Sequence, residues 1–276
     1  KWLPVDYYIG GAEHATMHLL YSRFITKALQ DLGYVNFNEL FLNLFHQGTI
    51  TKDSAKMSKS KGNTVSPDRF IEDYGSDTFR CYLMFMGPYD EGGDWNDKGI
   101  KGISKFLSRA YRLCQQTVDY EETSDDLFIV HSTIQAVTNN LDEMKFNTAL
   151  SRLMEFVNYF YAKGITASTK MIFIQLLSPL APHISEELWS YKNNTSVFIS
   201  SWPICDSKYL EKDTIKIMVQ VNGKLRASIE VDKSINKDKL VQIAKENQNV
   251  SKFILNKEII REIYVPNKII NIVIKE

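Results

Sequence analysis

Residues 56–60 read Lys-Met-Ser-Lys-Ser, and Lys61-Gly62-Asn63 follow directly. They lie in a polar stretch, residues 51–63, that carries four lysines. Ammonium groups, hydroxyls and a glycine on a loop can surround a polyphosphate, because the ammonium groups neutralise phosphate charge and the hydroxyls add hydrogen bonds. An exposed basic loop without a ligand has the same composition. Composition alone therefore leaves two interpretations open, a phosphate-binding loop and a solvated surface.

A strand–helix–strand pattern precedes this loop. The pattern predicts a strand over residues 5–9, a helix over residues 17–32 that Gly33 ends, and a second apolar strand over residues 39–46. Both strands run into glycines, at Gly10-Gly11 and at Gln47-Gly48. This order of elements predicts the α/β fold class for the N-terminal part of the chain.

Helix-start signals follow the loop. Ser66-Pro67-Asp68 combines an N-cap hydroxyl, a proline in the first turn and an acid near the positive end of the helix dipole. Gly75 is expected to end this helix, and Ser76-Asp77 to begin another. Residues 87–99 are rich in Gly, Asp and Asn and predict a domain boundary.

The rest of the chain predicts two further domains. Apolar stripes at helical spacing predict helices over residues 100–118, 125–141, 146–160 and 170–191, the last broken at Pro179 and Pro182. Alternating residues around the Asn222-Gly223 turn predict a β-hairpin, with a helix and two β-rich segments after it. The expected organisation is multidomain: α/β over residues 1–98, a helical bundle over 99–205 and a small α+β domain over 212–276.

Charge is distributed unevenly between these parts. The net charge is zero over 276 residues. Residues 212–276 hold 13 Lys/Arg and 8 Asp/Glu, a net of +5, so residues 1–211 have a net of −5. A basic module on an acidic body is a weak indication of contact with a polyanion, and on charge alone a solvated surface with uneven charge is the favoured explanation.

Other bulk features favour a cytosolic, globular protein. Cys81, Cys114 and Cys205 are odd in number and far apart, which suits reduced thiols better than disulfides or a zinc site. No apolar run approaches the ~20 residues that a membrane span needs, and no signal peptide is evident. The chain opens with Lys1-Trp2-Leu3-Pro4, which is typical of a strand entry and indicates a segment of a longer protein.

Residues 56–60 match the KMSKS signature of class I aminoacyl-tRNA synthetases at every position. Residues 5–24 resemble the leucyl-tRNA synthetases closely, and the isoleucyl, valyl and methionyl relatives differ around the corresponding glycine. The resemblance continues through residues 146–149, 181–189 and 219–224 and covers nearly the whole chain. It implies a partial Rossmann-type catalytic domain with the KMSKS loop and stem-contact helices, a bundle of anticodon-binding type, and a C-terminal tRNA-binding domain.

The resemblance also implies a role for each candidate site residue. The catalytic loop would hold the ATP phosphates during leucine activation, through Lys56, Met57, Ser58, Lys59 and Ser60. The other nucleotide and aminoacyl contacts would come from Gly10, Gly11, Glu13, His14, His18, Gln47 and Gly48.

Within that second group, the resemblance assigns separate contacts. The two glycines and Glu13 would lie beneath the adenylate ribose, where a carboxylate can accept both hydroxyls. His14 and His18 are four residues apart, which predicts one shared helix face, and in the family this face lines the aminoacyl pocket. Gln47 and Gly48 would pack against adenine.

The implied ligands are ATP with accompanying Mg²⁺, leucine and tRNA(Leu), and no metal-ligand set is evident in the chain. No His-x-Gly-His segment occurs. We therefore expect an N-terminal catalytic portion elsewhere, and no leucine activation by this chain alone. Two alternatives stay open: a stand-alone tRNA- or RNA-binding module, and a fragment of an isoleucyl, valyl or methionyl enzyme.

Overall fold

The computed structural model describes residues 2–211, 214–232, 235–266 and 268–275. The chain forms two compact units, Lys1–Asp206 and Ser207–Glu276. The predicted first residue of the C-terminal domain, Lys212, lies outside the described residues. The sequence predicted that one domain ends at residue 98 and the next begins at residue 99. In the structure, a single hydrophobic core includes residues on both sides of that point, so the boundary between these two domains stays a prediction.

A parallel pair of strands with a helix between them opens the first unit. β1 (Val5–Gly10) pairs with β2 (Phe41–His46), from Val5 opposite Phe41 to Gly10 opposite His46. α1 (His18–Asp31) connects the two strands, and Gly33 follows it at φ +79°. The predicted strand–helix–strand order is confirmed. Parallel strands need such a crossover connection, and their carboxyl ends meet at one edge.

The apolar residues of α1 lie at the surface. Thr26 is its only buried residue, while Leu20 is 53% and Phe24 68% exposed. Leu42 and Leu44 of β2 are also exposed. A helix in a globular protein normally turns its apolar stripe toward a core. Several large apolar side chains exposed on neighbouring elements are typical of an interaction surface.

Three short strands and two helices follow: β3 (Thr49–Lys52), β4 (Ala55–Lys56), α2 (Pro67–Tyr74), α3 (Ser76–Phe85) and β5 (Gly92–Asp94). β4 runs antiparallel and β5 parallel to β3. The predicted loop of residues 51–63 thus contains part of a hairpin. Residues 87–99 hold β5 and the buried Trp95, so they are packed structure, and the domain boundary expected there stays a prediction.

Five helices complete the first unit: α4 (Ile100–Gln115), α5 (Ser124–Asp142), α6 (Phe146–Phe160), α7 (Ala167–Leu177) and α8 (Pro182–Ser190). Their core includes the fully buried Phe156, Phe160 and Phe173. The buried Trp95 belongs to the same core, and it packs at 4.8 Å and 5.0 Å from the rings of Phe70 and Tyr82. The predicted helices are confirmed, and the bundle supports the elements that carry the candidate site.

Polar contacts also join α3 to α8. The buried Asp77 accepts a hydrogen bond from the Ile184 backbone N–H at 2.7 Å, and its other oxygen lies 2.8 Å from His183 Nδ1. Because the first N–H groups of a helix have no partner within the helix, Asp77 caps α8 from another element.

The second unit is a four-stranded sheet with two helices: β6 (Thr214–Val221), β7 (Lys224–Asp232), α9 (Lys237–Glu246), α10 (Gln248–Ile254), β8 (Ile259–Val265) and β9 (Ile269–Ile274). The strand order is β7-β6-β9-β8. Asn222 and Gly223 both have positive φ, as the predicted tight hairpin requires. Leu240 and Val250 of the helices pack with buried strand residues such as Val219.

None of the helices in the described part of the chain has the length and hydropathy needed to cross a membrane. All three cysteines are free thiols. Burial raises the pKa of Cys81 and of Cys114 to about 12. Both therefore remain protonated and unreactive near neutral pH.

Candidate active site

The two predicted glycine segments meet at the carboxyl edge of the parallel strand pair. Gly10 is opposite His46 in the strand register, and the Gln47 backbone N–H donates to the Gly10 carbonyl at 3.2 Å. Gly11 and Gly48 each follow directly in the chain. The carboxyl edge of parallel strands is where open α/β sheets bind ligands. The structure thus brings together four of the candidate site residues.

Glu13, His14 and His18 lie after Gly11, but on two different helices. Glu13 and His14 belong to a 3₁₀ helix, Ala12–Thr16, and His18 is the first residue of α1. Met17, between them, has φ −119° and ψ −104°, which fits neither helix. The prediction that His14 and His18 share one helix face was therefore wrong, because the break at Met17 separates them.

Each of these polar side chains has a defined setting. The Glu13 carboxylate lies over Gly11, at a position that a Cβ on Gly11 would contact. His14 is exposed, and His18 Nδ1 lies 3.0 Å from the Tyr8 hydroxyl. The His18 and Tyr8 rings are stacked 5.6 Å apart. Tyr8 on β1 therefore orients His18, whereas Glu13 and His14 are exposed to solvent.

Gly48 is in close contact with the connection that leads into β5. A Cβ at Gly48 would lie within 3.0 Å of backbone atoms of Gly92 and Glu91. The Gly48 N–H donates to the Tyr89 carbonyl at 2.8 Å, and the Tyr89 hydroxyl donates to Gln47 Oε1 at 3.1 Å. Only a glycine allows this approach of two backbones. Gln47, Gly48, Tyr89 and Gly92 are among the residues that line a pocket of about 330 Å³.

A hairpin carries the chain from Gly48 to the lysine-rich loop. β3 begins at Thr49, and β4 returns beside it with Lys56 opposite Thr51. Because β4 is antiparallel, the chain after Lys56 heads back toward the end of β3 where Gly48 lies. The structure therefore directs the loop toward the first cluster of site residues.

The loop itself has ordered backbone contacts. Asn63 closes it: its amide donates to the Lys56 carbonyl at 3.3 Å and its Oδ1 accepts from the Ser58 N–H at 2.9 Å. Ser58 caps a 3₁₀ turn, Lys59–Lys61, by accepting from the Lys61 N–H. Gly62 ends the turn at φ +65°.

Apolar anchors hold this loop while its cations remain outside. Met57 and Val65 pack against the core of the first unit. Lys56, Lys59 and Ser60 are exposed. The Ser60 hydroxyl lies 3.2 Å from that of Ser58. Exposed ammonium groups beside two hydroxyls on a fixed turn are suited to binding an anion with several oxygens.

Sequence reasoning missed four residues that shape the site: Tyr8, Asn63, Tyr89 and Asp94. Asn63 adjoins the motif, but its contacts with Lys56 and Ser58 are seen only in the structure. The other three are distant in the chain from their partners, and no local pattern indicates them. Among the described residues, no group of three or more His, Cys, Asp or Glu side chains is arranged to hold a metal ion.

Two family models match the chain. "tRNA synthetases class I (I, L, M and V)" matches residues 1–95, which contain every candidate site residue. "Anticodon-binding domain of tRNA ligase" matches residues 127–242, from the bundle into the second unit.

Individual curated relatives are more specific than the family models, which cover enzymes for several amino acids. A leucine–tRNA ligase of Caldanaerobacter subterraneus is 46% identical over 99% of this chain and 36% of its own length. That of Thermotoga maritima is 43% identical over 99% of this chain and 36% of its own length. The chain thus spans little more than a third of these relatives.

A solved structure agrees. It is the ternary complex of Agrobacterium radiobacter LeuRS with tRNA and LeuAMS, which superposes with a TM-score of 0.73 at 33% identity, over 99% of this chain and 38% of that one. The family models, the relatives and the solved structure all indicate the same family. The chain belongs to the leucine–tRNA ligase family of class I aminoacyl-tRNA synthetases.

Proposed function

We propose that this chain is the part of a leucine–tRNA ligase that holds the ATP phosphates during leucine activation and contacts tRNA(Leu). The observation that carries the proposal is the position of the Lys56–Ser60 loop. It follows a hairpin that begins at Gly48, beside Gly10 and Gly11. One edge of the fold therefore carries both the cationic loop and the glycine segments.

Lys56 and Lys59 would neutralise the phosphate charge that develops as pyrophosphate leaves, with Ser58 and Ser60 adding hydrogen bonds. Such contacts lower a barrier most when they are stronger in the transition state than in the ground state. Met57 supports this role through its packing on the core, because it fixes the loop between the two lysines. Mg²⁺ would arrive with ATP and be held chiefly by its phosphates.

The remaining candidate residues fit the rest of an adenylate. Gly10 and Gly11 would lie beneath the ribose, and the exposed Glu13 carboxylate can accept its hydroxyls. Gln47 and Gly48 would pack against adenine. His18, held by Tyr8, and His14 would face the leucine end.

We infer that a further part of the ligase completes this site. The relatives are nearly three times as long as this chain. The exposed apolar side chains of α1 and β2 need a covering layer, and the first half of the catalytic domain would supply it. That half would also supply the missing part of the ATP clamp. The free thiols suit a cytosolic location.

The tRNA would be bound by the bundle and by the second unit. α4 contains no acidic residue, and four basic residues recur along it at spacings of four, four and three: Lys101, Lys105, Arg109 and Arg112. Three of them are exposed, while Arg109 is half-buried and donates to Asn158 Oδ1 at 2.7 Å. The opposite face of α4 is buried. Charge of this kind on an otherwise acidic unit suits a phosphate backbone.

In the second unit, the candidate phosphate contacts are Lys216, Lys224, Arg226, Lys237 and Lys239. Four of these side chains are exposed. Arg226 differs: its guanidinium stacks 3.7 Å from the Phe253 ring centroid, and its Nε is buried without a hydrogen bond. Arg226 is therefore the weakest candidate of the five.

The test measures pyrophosphate exchange into ATP by the full-length ligase, with leucine, isoleucine, valine or methionine as the amino acid, together with charging of tRNA(Leu). We expect exchange that requires leucine, and charging of tRNA(Leu). Exchange that prefers another of the four amino acids would assign the chain to that enzyme. Binding of tRNA without any exchange would indicate an RNA-binding module.

A further inference from the structure

Asp94, at the end of β5, binds the hairpin that leads to the lysine loop. Its Oδ1 accepts from the Thr51 hydroxyl at 2.6 Å and from the Ser54 backbone N–H at 2.9 Å. Thr51 belongs to β3 and Ser54 to the turn between β3 and β4. One carboxylate oxygen therefore holds a strand and the adjoining turn in a fixed relation.

The turn needs such support. Its central residues, Asp53 and Ser54, have φ of 53° and 59°. Two-residue hairpins with both residues in this region strongly prefer Asn-Gly, Asp-Gly or Gly-Gly, so Asp53 suits its position and Ser54 stands where glycine is favoured. A serine there is disfavoured and persists when surrounding contacts impose the conformation. The hydrogen bond from the Ser54 N–H to Asp94 is such a contact, beside the pairing of Lys52 with Ala55.

Asp94 is itself firmly anchored. The next residue, Trp95, is 5% exposed and packs in the core of the first unit, and its backbone N–H donates to the Thr51 carbonyl at 2.8 Å. The Trp95 indole N–H donates to Asp97 at 2.6 Å. The Thr51 hydroxyl, followed by the Ser54 N–H, holds the pKa of Asp94 below its usual value. The acceptor is thus ionised near neutral pH and fixed in place.

The position of Lys56 depends on this turn. β4 consists of Ala55 and Lys56 only, paired with Lys52 and Thr51. Among the described strands, β4 pairs only with β3, and through just these two residue pairs. The turn therefore helps to set where Lys56 begins the loop, together with the Asn63 amide on the Lys56 carbonyl and the packing of Met57. A change at Asp94 would be transmitted to Lys56 through two residues.

We propose that Asp94 is a positioning residue for the Lys56–Ser60 loop, acting through the Asp53–Ser54 turn. It contacts no reacting group, and the inference rests on the proposed function of that loop. Its role is to present the loop to the leaving pyrophosphate in one geometry, so that the ammonium groups need no rearrangement during the reaction.

The test compares the full-length ligase carrying Asp94→Ala, Asp94→Asn, Asp90→Asn or Lys59→Ala. Asparagine keeps the accepting oxygen and removes the charge, and Asp90 is an exposed acid on the same connection. We expect Asp94→Ala to lower kcat for leucine-dependent exchange roughly tenfold with KM for leucine unchanged. Asp94→Asn should recover most of that loss, and Asp90→Asn should match wild type.

Hydrogen exchange supplies a readout that does not depend on activity. In Asp94→Ala, the Ser54 amide should exchange faster while amides of α4 and α6 keep wild-type rates. A loss of protection throughout the bundle would mean that Asp94 only stabilises the fold, and would overturn the inference. Equal activity of Asp94→Ala and wild type, with Lys59→Ala slow, would overturn it too. Wild-type activity of Lys59→Ala would instead overturn the proposed function.

Discussion

Gly48→Ala is a direct test of the backbone packing beside the candidate site. The substitution adds one methyl group at a point where it would lie within 3.0 Å of backbone atoms of Gly92 and Glu91. Backbone atoms cannot swing aside as a flexible side chain can. The structure records no positive φ at Gly48, so the effect is one of crowding and not of backbone strain.

The magnitude follows from two contributions. Overpacking in a close-packed region costs about 1–3 kcal/mol. Moving the connection apart also lengthens the hydrogen bond from the Gly48 N–H to the Tyr89 carbonyl, now 2.8 Å. Such a bond contributes about 0.5–1.5 kcal/mol. We therefore expect a loss of roughly 2–4 kcal/mol in the free energy of unfolding.

Gly102→Ala is the matched control. Gly102 lies within α4, and a Cβ there meets nothing within 4 Å. The same added methyl should stabilise the chain by about 0.5–1 kcal/mol through helix propensity. Urea unfolding of both variants gives the comparison. If Gly48→Ala is as stable as wild type, the close approach of residues 48 and 92 is wrong.

Three further outcomes are expected. Asp77→Ala leaves the Ile184 N–H unpaired and should lower the free energy of unfolding by about 1–3 kcal/mol, with a smaller loss for Asp77→Asn; equal losses would refute the capping role. The hydrogen bond from Arg23 lowers the pKa of Glu39 from 4.5 to about 2, so its stabilising effect is complete above pH 4.5 and shrinks as the pH falls toward 2. The difference in Tm between wild type and Glu39→Gln should follow that fall, and a difference independent of pH would contradict it. Deletion of residues 212–276 from the full-length ligase should weaken tRNA charging and spare pyrophosphate exchange. In the intact enzyme, the slope of log binding constant against log salt concentration should be roughly −0.7 to −0.9 per neutralised phosphate. A parallel loss of exchange on deletion would show that the second unit supports the catalytic part.

Residues that end helices or form tight turns made much of the fold predictable. Gly33, Gly75 and Gly223 all have positive φ, and each stands where the sequence predicted the end of a helix or a tight turn. The helical stripes of the bundle were predictable for a related reason: the 3.6-residue period of the core face is a local property.

The hairpin at β3–β4 was not predictable from its own residues. Its turn, Asp53-Ser54, lacks the glycine that marks such turns, and the stabilising contact comes from Asp94, some 40 residues later in the chain. β5 lies in a segment rich in Gly, Asp and Asn whose composition predicted a domain boundary and no strand, because its pairing with β3 is a tertiary contact. In both cases tertiary context outweighed local propensity.

The candidate site divides in the same way. The Lys56–Ser60 loop and the glycine segments are contiguous in sequence, and a motif can indicate them. The break at Met17 and the contact of Tyr8 with His18 depend on how β1 meets α1, and residue spacing alone predicted a shared face that does not exist.

The central claim is that the lysines of the loop act on the transferring phosphates of ATP. Its most direct test is the rate of leucine-dependent pyrophosphate exchange by the full-length ligase with Lys56→Ala or Lys59→Ala, and with Lys52→Ala on the same hairpin as the control. Each loop variant should lower kcat by roughly 10²–10³, the scale for one preorganised transition-state contact. Lys52→Ala should stay near wild type. Unchanged kcat in both loop variants, or a change confined to KM for ATP, would contradict the account.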